Sequence, residues 1–280
     1  MNSTKSILTG LAQSLEPVSG SGSLHEAEIV LEHVLDCSRS ELYTALASFE
    51  MPDEMLLTID CLVQRRLVGE PLAYVLGSVF FYSKEILVTK DVLIPRPETE
   101  ILVDCILKQE RKQDSRFADV CTGSGAIAAV LLKERPFWNA VATDISPAAL
   151  AVARRNAPDR AGFVCSDMMN AFKSNVRAFD FLVSNPPYVS QEEIDGLDIS
   201  VKEFEPLGAL CGGRDGLDFY NVLAMEARSV LEPGGRIYCE IGCSQESAVR
   251  KIFSSKGWNN LRVQNDLANR PRVVTASFVP

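Results

Sequence analysis

The segment FADVCTGSGAIAAVLLK, residues 117–133, decides how the chain folds. It begins with a short apolar run, 117–121, of the length and composition of a buried β-strand. A glycine-containing turn follows, and residues 126–133 then form an apolar stretch typical of a helix. A strand that leads through glycines into a helix is the first half of a β-α-β unit. The segment therefore predicts an α/β protein with a parallel sheet.

The chain downstream repeats this alternation of strand and helix. A helix is predicted to begin at Ser146 and Pro147, an N-cap residue followed by proline in the first turn. Further helices are predicted at about 217–231 and 245–256, with a turn at 233–235. The remaining predicted strands are 140–143, 163–165, 179–184, 236–241, 260–263 and 273–278. This order predicts a doubly wound, mostly parallel sheet.

Polar residues follow four of the predicted strands, at the point where each strand ends. Ligands of open α/β sheets bind beyond the carboxyl ends of the strands. Glycines in the first turn let a ligand approach the backbone, and a carboxylate after the second strand can accept both hydroxyl protons of a ribose. These residues predict a site for a nucleoside-bearing cofactor without naming it. They are Asp119, Cys121, Thr122, Gly123, Ser124 and Gly125, then Asp144, Asp167 and Asn185.

The tetrad Asn185-Pro186-Pro187-Tyr188 indicates the chemistry at this edge. Two prolines end a strand, but this does not account for an amide and an aromatic ring at a ligand site. The side-chain oxygen of Asn185 and the main-chain carbonyl of Pro186 are two acceptors, enough for both hydrogens of a planar NH2 group. Tyr188 can stack on the flat group that carries it. The tetrad therefore predicts a site that binds an NH2 group on a planar π system.

These residues give the chain its resemblance to the class I S-adenosylmethionine-dependent methyltransferases. More narrowly, it resembles the release factor glutamine N5-methyltransferase family from about residue 24 onward. The tetrad alone is shared with DNA and RNA amino-methylating enzymes, so the narrower resemblance depends on further segments. These are Arg65-Arg66, Gly69-Glu70-Pro71-Leu72-Ala73-Tyr74, Gly77, Ile94-Pro95-Arg96-Pro97-Glu98-Thr99-Glu100 and Glu203-Phe204-Glu205-Pro206.

The resemblance implies a fold, a reaction and a set of site residues. The fold is the class I methyltransferase sheet with an antiparallel terminal strand. The reaction is transfer of a methyl group from S-adenosylmethionine to the side-chain amide nitrogen of the Gln in a Gly-Gly-Gln loop of peptide-chain release factors. The tetrad is implied to be catalytic, with Asn185 also at the cofactor. The turn 119–125 is implied to hold the methionine part, Asp144 the ribose, and Asp167 with Met168 the adenine.

Two features of the match leave roles open. Cys121 stands where the family usually has glycine. A cysteine keeps the turn if its φ is negative, whereas a positive φ costs a residue other than glycine about 1 kcal/mol or more. Arg96 and Glu98 either order a segment that covers the cofactor or only form a salt bridge.

Three other functions are compatible with parts of the pattern. A DNA or RNA methyltransferase acting on adenine or cytosine shares the tetrad. However, a net charge of −9, from 28 basic and 37 acidic residues, disfavours a protein that must neutralise phosphates. A nicotinamide-dependent oxidoreductase accounts for the turn 123–128 but leaves the tetrad unexplained. A non-catalytic cofactor-binding protein is disfavoured by the intact tetrad.

The composition bounds the class of protein and its compartment. With 280 residues, 46% hydrophobic and 23% charged, the chain is globular rather than disordered or fibrous. No apolar run reaches the ~18 residues needed to span a bilayer, and the N-terminus is a poor signal peptide. We expect a cytoplasmic monomer that binds neither membranes nor nucleic acid directly.

Cysteine and histidine usage excludes several kinds of chemistry. Eight cysteines without a CxxC pair predict reduced thiols rather than disulfides. His25 and His33 are the only histidines and lack further ligands at useful spacing, so no metal site is expected. Most hydrolase triads are excluded because the rest of the chain has no histidine.

The predicted domains are three. Residues 1–75 are predicted to be helical, with helices around 24–35 and 52–69 and a flexible connection at 19–23. This region is predicted to recognise the substrate, although a packed helical cap is the alternative. Residues 76–93 are predicted to form a linking hairpin, turning at 83–84. Residues 94–280 are predicted to form the methyltransferase domain.

Overall fold

The computed structural model describes residues 4–45, 49–172 and 177–279. Contacts group the chain into two units: Met1–Gly77 with Ile199–Phe204, and Ser78–Asp198 with Glu205–Pro280. The hairpin, predicted as a separate linking segment, groups with the larger unit. Within the described ranges, no helix is long and apolar enough to cross a membrane.

The smaller unit is a group of helices around one apolar core. Leu8, Leu11 and Leu15 recur at helical spacing on the first helix and pack against buried residues of the second and fourth helices. Arg65 holds the end of the fourth helix, since it donates to both carboxylate oxygens of Glu70 and to two main-chain carbonyls. The helices are α1 (Thr4–Ser19), α2 (Ser23–Leu35), α3 (Arg39–Ala45), α4 (Asp53–Leu67), α5 (Leu72–Leu76) and α10 (Ile199–Lys202).

The connection predicted to be flexible at 19–23 is a single 3₁₀ turn, Gly20–Gly22, that leads from α1 directly into α2. The hydroxyl of Ser19 donates to the carboxylate of Glu26 at 2.5 Å. Arg66 of α4 donates to the same carboxylate at 3.0 Å. These two contacts order a sequence whose serines and glycines alone indicate a flexible linker.

The larger unit is built on a seven-stranded sheet of order β5-β4-β3-β6-β7-β9-β8. Neighbouring strands from β5 to β7 are parallel, and β9 is antiparallel to both of its neighbours. The predicted doubly wound, mostly parallel sheet with an antiparallel terminal strand is therefore confirmed. The strands are β3 (Arg116–Val120), β4 (Asn139–Asp144), β5 (Ala161–Cys165), β6 (Phe179–Ser184), β7 (Leu231–Glu240), β8 (Asn259–Asn265) and β9 (Pro271–Ser277).

Helices accompany the strands of this sheet. Ser146 caps α8 as predicted, because its hydroxyl accepts from the N–H of Ala149 at 3.1 Å. The turn predicted at 233–235 lies inside β7, where the pairing with β6 shifts register. The helices are α6 (Thr99–Gln109), α7 (Ala126–Glu134), α8 (Pro147–Asn156), α9 (Gln191–Ile194), α11 (Asp218–Glu226) and α12 (Glu246–Ser255).

A two-stranded hairpin, β1 (Ser78–Phe81) and β2 (Lys84–Leu87), precedes the sheet. It turns one residue earlier than predicted, at Tyr82 and Ser83, whose φ angles are 51° and 55°. Two left-handed residues make the turn that matches the twist of paired strands. Asn156 joins the hairpin to the glycine turn after β3: its Nδ2 donates to the carbonyl of Leu87 at 2.8 Å and to that of Ser124 at 2.9 Å.

Candidate active site

A cavity of about 420 Å³ opens at the carboxyl ends of β3, β4, β5 and β6. The strand order changes direction at β3, because β4 lies on one side of it and β6 on the other. Open α/β sheets bind ligands at such a position. The lining brings together these predicted site residues: Cys121, Thr122, Gly123, Ser124, Asp144, Asp167, Met168, Asn185 and Pro187.

The turn after β3 has an unusual backbone. Cys121, Gly123 and Gly125 have positive φ angles of 60°, 54° and 77°. A Cβ atom at Gly125 would lie 2.9 Å from the Cβ of Ala153 in α8, so only glycine lets α7 start this close to α8. Gly125 therefore shapes the turn without lining the cavity. The open question about Cys121 is resolved: it is held in the left-handed region that favours glycine.

Asp119 lies beneath the turn rather than in the cavity. It is buried, and its Oδ2 accepts from the hydroxyl of Thr122 at 2.6 Å. Its other oxygen has no hydrogen-bond partner among the described residues. Burial raises the pKa of Asp119 to about 7. The predicted direct contact of Asp119 with a cofactor stays a prediction; in the structure, Asp119 positions Thr122.

Asp144 joins the ends of two strands. Its Oδ2 accepts from the main-chain N–H of Gly123 at 2.9 Å, and its Oδ1 accepts from that of Ser146 at 2.9 Å. Each carboxylate oxygen has a second lone pair for a ligand hydroxyl. Asp144 therefore orders the turn after β3 and still faces the cavity, as a ribose acceptor must.

Asn185 follows β6, and the nitrogen of its side-chain amide is held by a hydrogen bond. Its Nδ2 donates to Oγ1 of Thr99, the first residue of α6, at 3.2 Å. Its Oδ1 is left as the acceptor at the cavity. In the described part of the chain, no donor is paired with the main-chain oxygen of Pro186. Both acceptors predicted for an NH2 group are thus available at the same strand end.

The other members of the tetrad differ in position. Pro187 lines the cavity, whereas Pro186 and Tyr188 do not. The ring of Tyr188 packs against the core of the larger unit, and burial raises the pKa of its phenol. Its main-chain oxygen accepts from Nε2 of Gln245 at 2.9 Å. The predicted stacking of Tyr188 on the acceptor stays a prediction.

Arg96 and Glu205 form an ion pair that joins two walls of the cavity. Nη2 of Arg96 lies 2.5 Å from Oε1 of Glu205, and the N–H of Ile94 donates to Oε2 at 3.2 Å. Pro95 and Pro206, each adjacent to one partner, line the cavity. Of the two roles left open for Arg96, the geometry therefore supports the ordering of a covering segment. Glu98 instead contacts Arg272, at 3.5 Å.

Some residues that organise this site were missed by sequence reasoning. Thr99 lies in a segment that the resemblance had singled out, but its contact with Asn185 links positions 86 residues apart. Glu240 interrupts the apolar run 237–241 and is buried. An acidic residue inside a predicted buried strand is a signal that could have found it, because buried carboxylates need a partner.

The cavity has an acidic lining. Asp91, Asp144 and Asp167 face it, and no lysine or arginine is among the lining residues that the structure describes. Burial, with Asp144 and Asp119, raises the pKa of the Cys121 thiol, which keeps it protonated. In residues 4–45, 49–172 and 177–279, no three His, Cys, Asp or Glu side chains converge to hold a metal ion. The site therefore favours a cationic ligand that carries hydroxyl groups.

Two family models match the chain. The PrmC N-terminal domain model matches residues 7–77. The Methyltransferase small domain model matches residues 97–200. The two matches fall largely on the helical unit and on the sheet unit, respectively.

Curated relatives match along most of the chain. The release factor glutamine methyltransferase of Thermodesulfovibrio yellowstonii is 39% identical over 259 residues, which cover 90% of this chain and 91% of the relative. That of Coxiella burnetii is 37% identical over 279 residues, 99% of each chain. The crystal structure of a methyltransferase from Pyrococcus furiosus is 16% identical with a TM-score of 0.53, covering 78% of this chain and 98% of that chain. The last similarity shows the fold alone.

The left-handed backbone of Cys121 has a measurable cost. We expect Cys121→Gly to be more stable than Cys121→Ala by ~0.5–1 kcal/mol in urea unfolding. Both variants lose the contact of Sγ with Sδ of Met168, at 3.7 Å. Only the glycine variant is relieved of the left-handed strain, which is ~1–2 kcal/mol. Glycine also loses more backbone entropy on folding, ~0.5–1 kcal/mol, so the net gain in stability is smaller than the strain.

The matched control is the same pair of substitutions at Cys105, inside α6. The Cys105→Gly variant is expected to be less stable than the Cys105→Ala variant by ~1 kcal/mol. An alanine variant at position 121 that is as stable as the glycine variant would show that no strain is stored there.

Proposed function

The chain belongs to the release factor glutamine methyltransferase family, and we propose that it transfers a methyl group from S-adenosylmethionine to the side-chain amide nitrogen of the Gln in the Gly-Gly-Gln loop of a release factor. The observation that carries this proposal is the position of Asn185. Its Oδ1 lies at one end of the cavity, and the carbonyl of Pro186 is a second acceptor at the same strand end. The glycine turn and Asp144 lie along the same strand ends, where a methyl donor binds.

The cavity fits S-adenosylmethionine by its chemistry. That cofactor supplies, when bound, an electrophilic methyl group on a positively charged sulfur. The carboxylates of Asp91, Asp144 and Asp167 suit a cationic ligand. Asp144 would accept from the ribose hydroxyls, the turn 121–124 would hold the methionine part, and Asp167 with Met168 would lie beside the adenine. An anionic dinucleotide is disfavoured by the same acidic lining, which argues against an oxidoreductase.

The residues at the end of β6 act by positioning. An amide nitrogen is a poor nucleophile because its lone pair is delocalised into the carbonyl. Asn185 and Pro186 accept its two hydrogens and turn its face toward the methyl group. As the nitrogen gains positive charge, both acceptors bind its hydrogens more strongly than in the ground state. This difference lowers the barrier.

No dedicated base is needed to complete the reaction. The methylated nitrogen is a strong acid and loses its proton to water. The chain's only histidines, His25 and His33, belong to the helical unit. Methylation of adenine or cytosine in nucleic acid, the alternative that also uses the tetrad, is disfavoured by the net charge of −9. The monomeric state and a cytoplasmic location stay predictions.

We assign release factor recognition to the helical unit. Val68 and Ile199 are 73% and 67% exposed. The segments that carry them meet at Gly69, the residue after Val68, where a Cβ would lie 3.9 Å from Cγ2 of Ile199. Exposed large apolar side chains on two segments that meet in this way are suited to contact with a protein partner. Binding energy from contacts that do not involve the reacting atoms can orient the amide.

The cofactor assignment predicts the effect of removing Asp144. We expect Asp144→Ala to weaken S-adenosylmethionine binding by ~1–3 kcal/mol in calorimetric titration, because charge-assisted hydrogen bonds are lost. Asp144→Asn keeps one acceptor oxygen, and its affinity for S-adenosylmethionine is expected to lie between those of the wild type and the alanine variant. Asp114→Ala removes an exposed carboxylate and serves as the control for net charge. Unchanged affinity of the alanine variant removes Asp144 from the site.

The catalytic assignment predicts the effect of removing Asn185. With purified release factor and saturating cofactor, Asn185→Ala is expected to lower kcat by roughly 10²–10³, the effect of one catalytic hydrogen bond. Its affinity for S-adenosylmethionine is expected to change only a few-fold. Asn221→Ala, on an exposed helix face, is the control. Near-normal turnover of the Asn185 variant contradicts the proposed mechanism.

The recognition assignment predicts a change in KM. The double variant Val68→Glu/Ile199→Glu is expected to raise the KM for intact release factor roughly tenfold, as loss of an interface anchor does. Its cofactor affinity and kcat are expected to stay unchanged. Leu57→Glu is the control, because Leu57 is 72% exposed on α4. An unchanged KM for the double variant would show that the release factor is recognised by another surface.

A further inference from the structure

Glu240 is a buried carboxyl group that the reaction described above does not use. It is the last residue of β7 and is 1% exposed. The pairing of β7 with β6 sets Cys239 opposite Ser184, which places Glu240 beside Asn185. The side chains of Thr99 and Asn185 lie close enough to its carboxylate to lower its pKa. Its Oε2 has no hydrogen-bond partner in the described part of the chain.

The side-chain amide of Asn185 has a donor end and an acceptor end, and its neighbours decide which end faces the cavity. An ionised carboxylate only accepts hydrogen bonds, so Glu240 requires the donor end, Nδ2. The same nitrogen donates to Oγ1 of Thr99 at 3.2 Å. Thr99 therefore takes up one hydrogen of Nδ2, the neighbouring carboxylate of Glu240 favours the same orientation of the amide, and Oδ1 remains for the cavity.

We propose that Glu240 is a positioning residue for the methyl transfer: with Thr99, it holds the amide of Asn185 so that Oδ1 faces the NH2 group of the substrate. The inference rests on the proposed function, because it requires Asn185 to bind that group. Without the carboxylate, the amide can also turn its own NH2 toward the substrate. Two donors then face each other, and the hydrogen bond that strengthens in the transition state is lost.

Protonation of Glu240 reverses the orientation of the amide. Burial raises the pKa of Glu240 to about 7, against the opposing effects of Thr99, Arg272 and Asn185. A protonated carboxyl donates a hydrogen bond, and Oδ1 of Asn185 is the acceptor that satisfies it. Nδ2 then turns toward the cavity. Methyl transfer is therefore expected to decrease as the pH falls through about 7.

The charged and titratable groups around Glu240 come from several elements. Arg272 of β9 lowers the pKa of Glu240, and Glu98, which precedes α6, raises it. Tyr188 and Tyr220 also face it, and burial raises the pKa of both phenols, so both stay protonated near neutral pH. Carboxylate interactions raise the pKa of Arg272, despite its burial, so its charge is constant in this range.

The test is Glu240→Gln, which keeps the shape of the side chain but removes its charge and its strict demand for a donor. We expect kcat for release factor to fall roughly tenfold above neutral pH, less than on removal of a direct catalytic hydrogen bond. The decrease of the wild-type kcat through pH about 7 is expected to be absent from this variant. The dissociation constant for S-adenosylmethionine, measured by calorimetry across the same range, is expected to change less than twofold. Glu246→Gln, at the first residue of α12, controls for the loss of one carboxylate charge.

A second pair of variants tests the same network from Thr99. Thr99→Val removes the hydroxyl and is expected to lower kcat, as Glu240→Gln does. Thr99→Ser keeps a hydroxyl and is expected to have a kcat close to that of the wild type. If the Glu240→Gln variant does not fold, the kcat values of the two Thr99 variants test the proposal instead. A Glu240→Gln enzyme with wild-type kcat and an unchanged pH profile overturns the proposal, as does a Thr99→Val enzyme with full activity. Failure of the proposed function itself is different, because wild-type enzyme then methylates no release factor.

Discussion

The pairing of β3 with β4 on one side and with β6 on the other is the constraint on which the rest of the structure depends. All three strands are parallel, so their carboxyl ends meet at one edge. The strands are buried, and a register shift of one residue would turn their apolar side chains out of the core. The position of each strand end is therefore fixed, and with it the glycine turn, Asp144 and Asn185. In the proposed reaction, these backbone hydrogen bonds set the positions of the residues that bind the methyl donor and the acceptor amide.

Two buried carboxyl groups support the two halves of this site. Asp119 accepts from Thr122 in the turn after β3, and in our proposal Glu240 orients Asn185 at the end of β6. Burial raises both pKa values to about 7. A raised carboxyl pKa means that the folded state binds a proton more tightly than the unfolded chain. The stability that both groups contribute is present below their unfolded pKa values and is lost as the pH rises through about 7. Above this pH, burial of the two ionised carboxylates lowers the stability of the folded protein, but both groups then act as hydrogen-bond acceptors in the site.

Much of this arrangement could be predicted from the sequence, because strand ends and turns are local signals. The alternation of strands and helices, the turn 121–125 and the tetrad at 185–188 all followed from residues close together in the chain. The pairing of Arg96 with Glu205 could not, since 109 residues separate them and many other partners were available. The direction of the Tyr188 ring depends on packing that no local pattern reveals. The sign of φ at Cys121 was left open for a similar reason, because tertiary contacts hold its turn in place.

The central claim is that this site places a methyl group on the amide nitrogen of one glutamine in a protein. It is tested most directly by tandem mass spectrometry of a purified release factor after incubation with the enzyme and isotopically labelled S-adenosylmethionine. We expect a single labelled methyl group on the side-chain nitrogen of the Gln in the Gly-Gly-Gln loop. A release factor without label, or a label on another residue while that Gln stays unmodified, would contradict it.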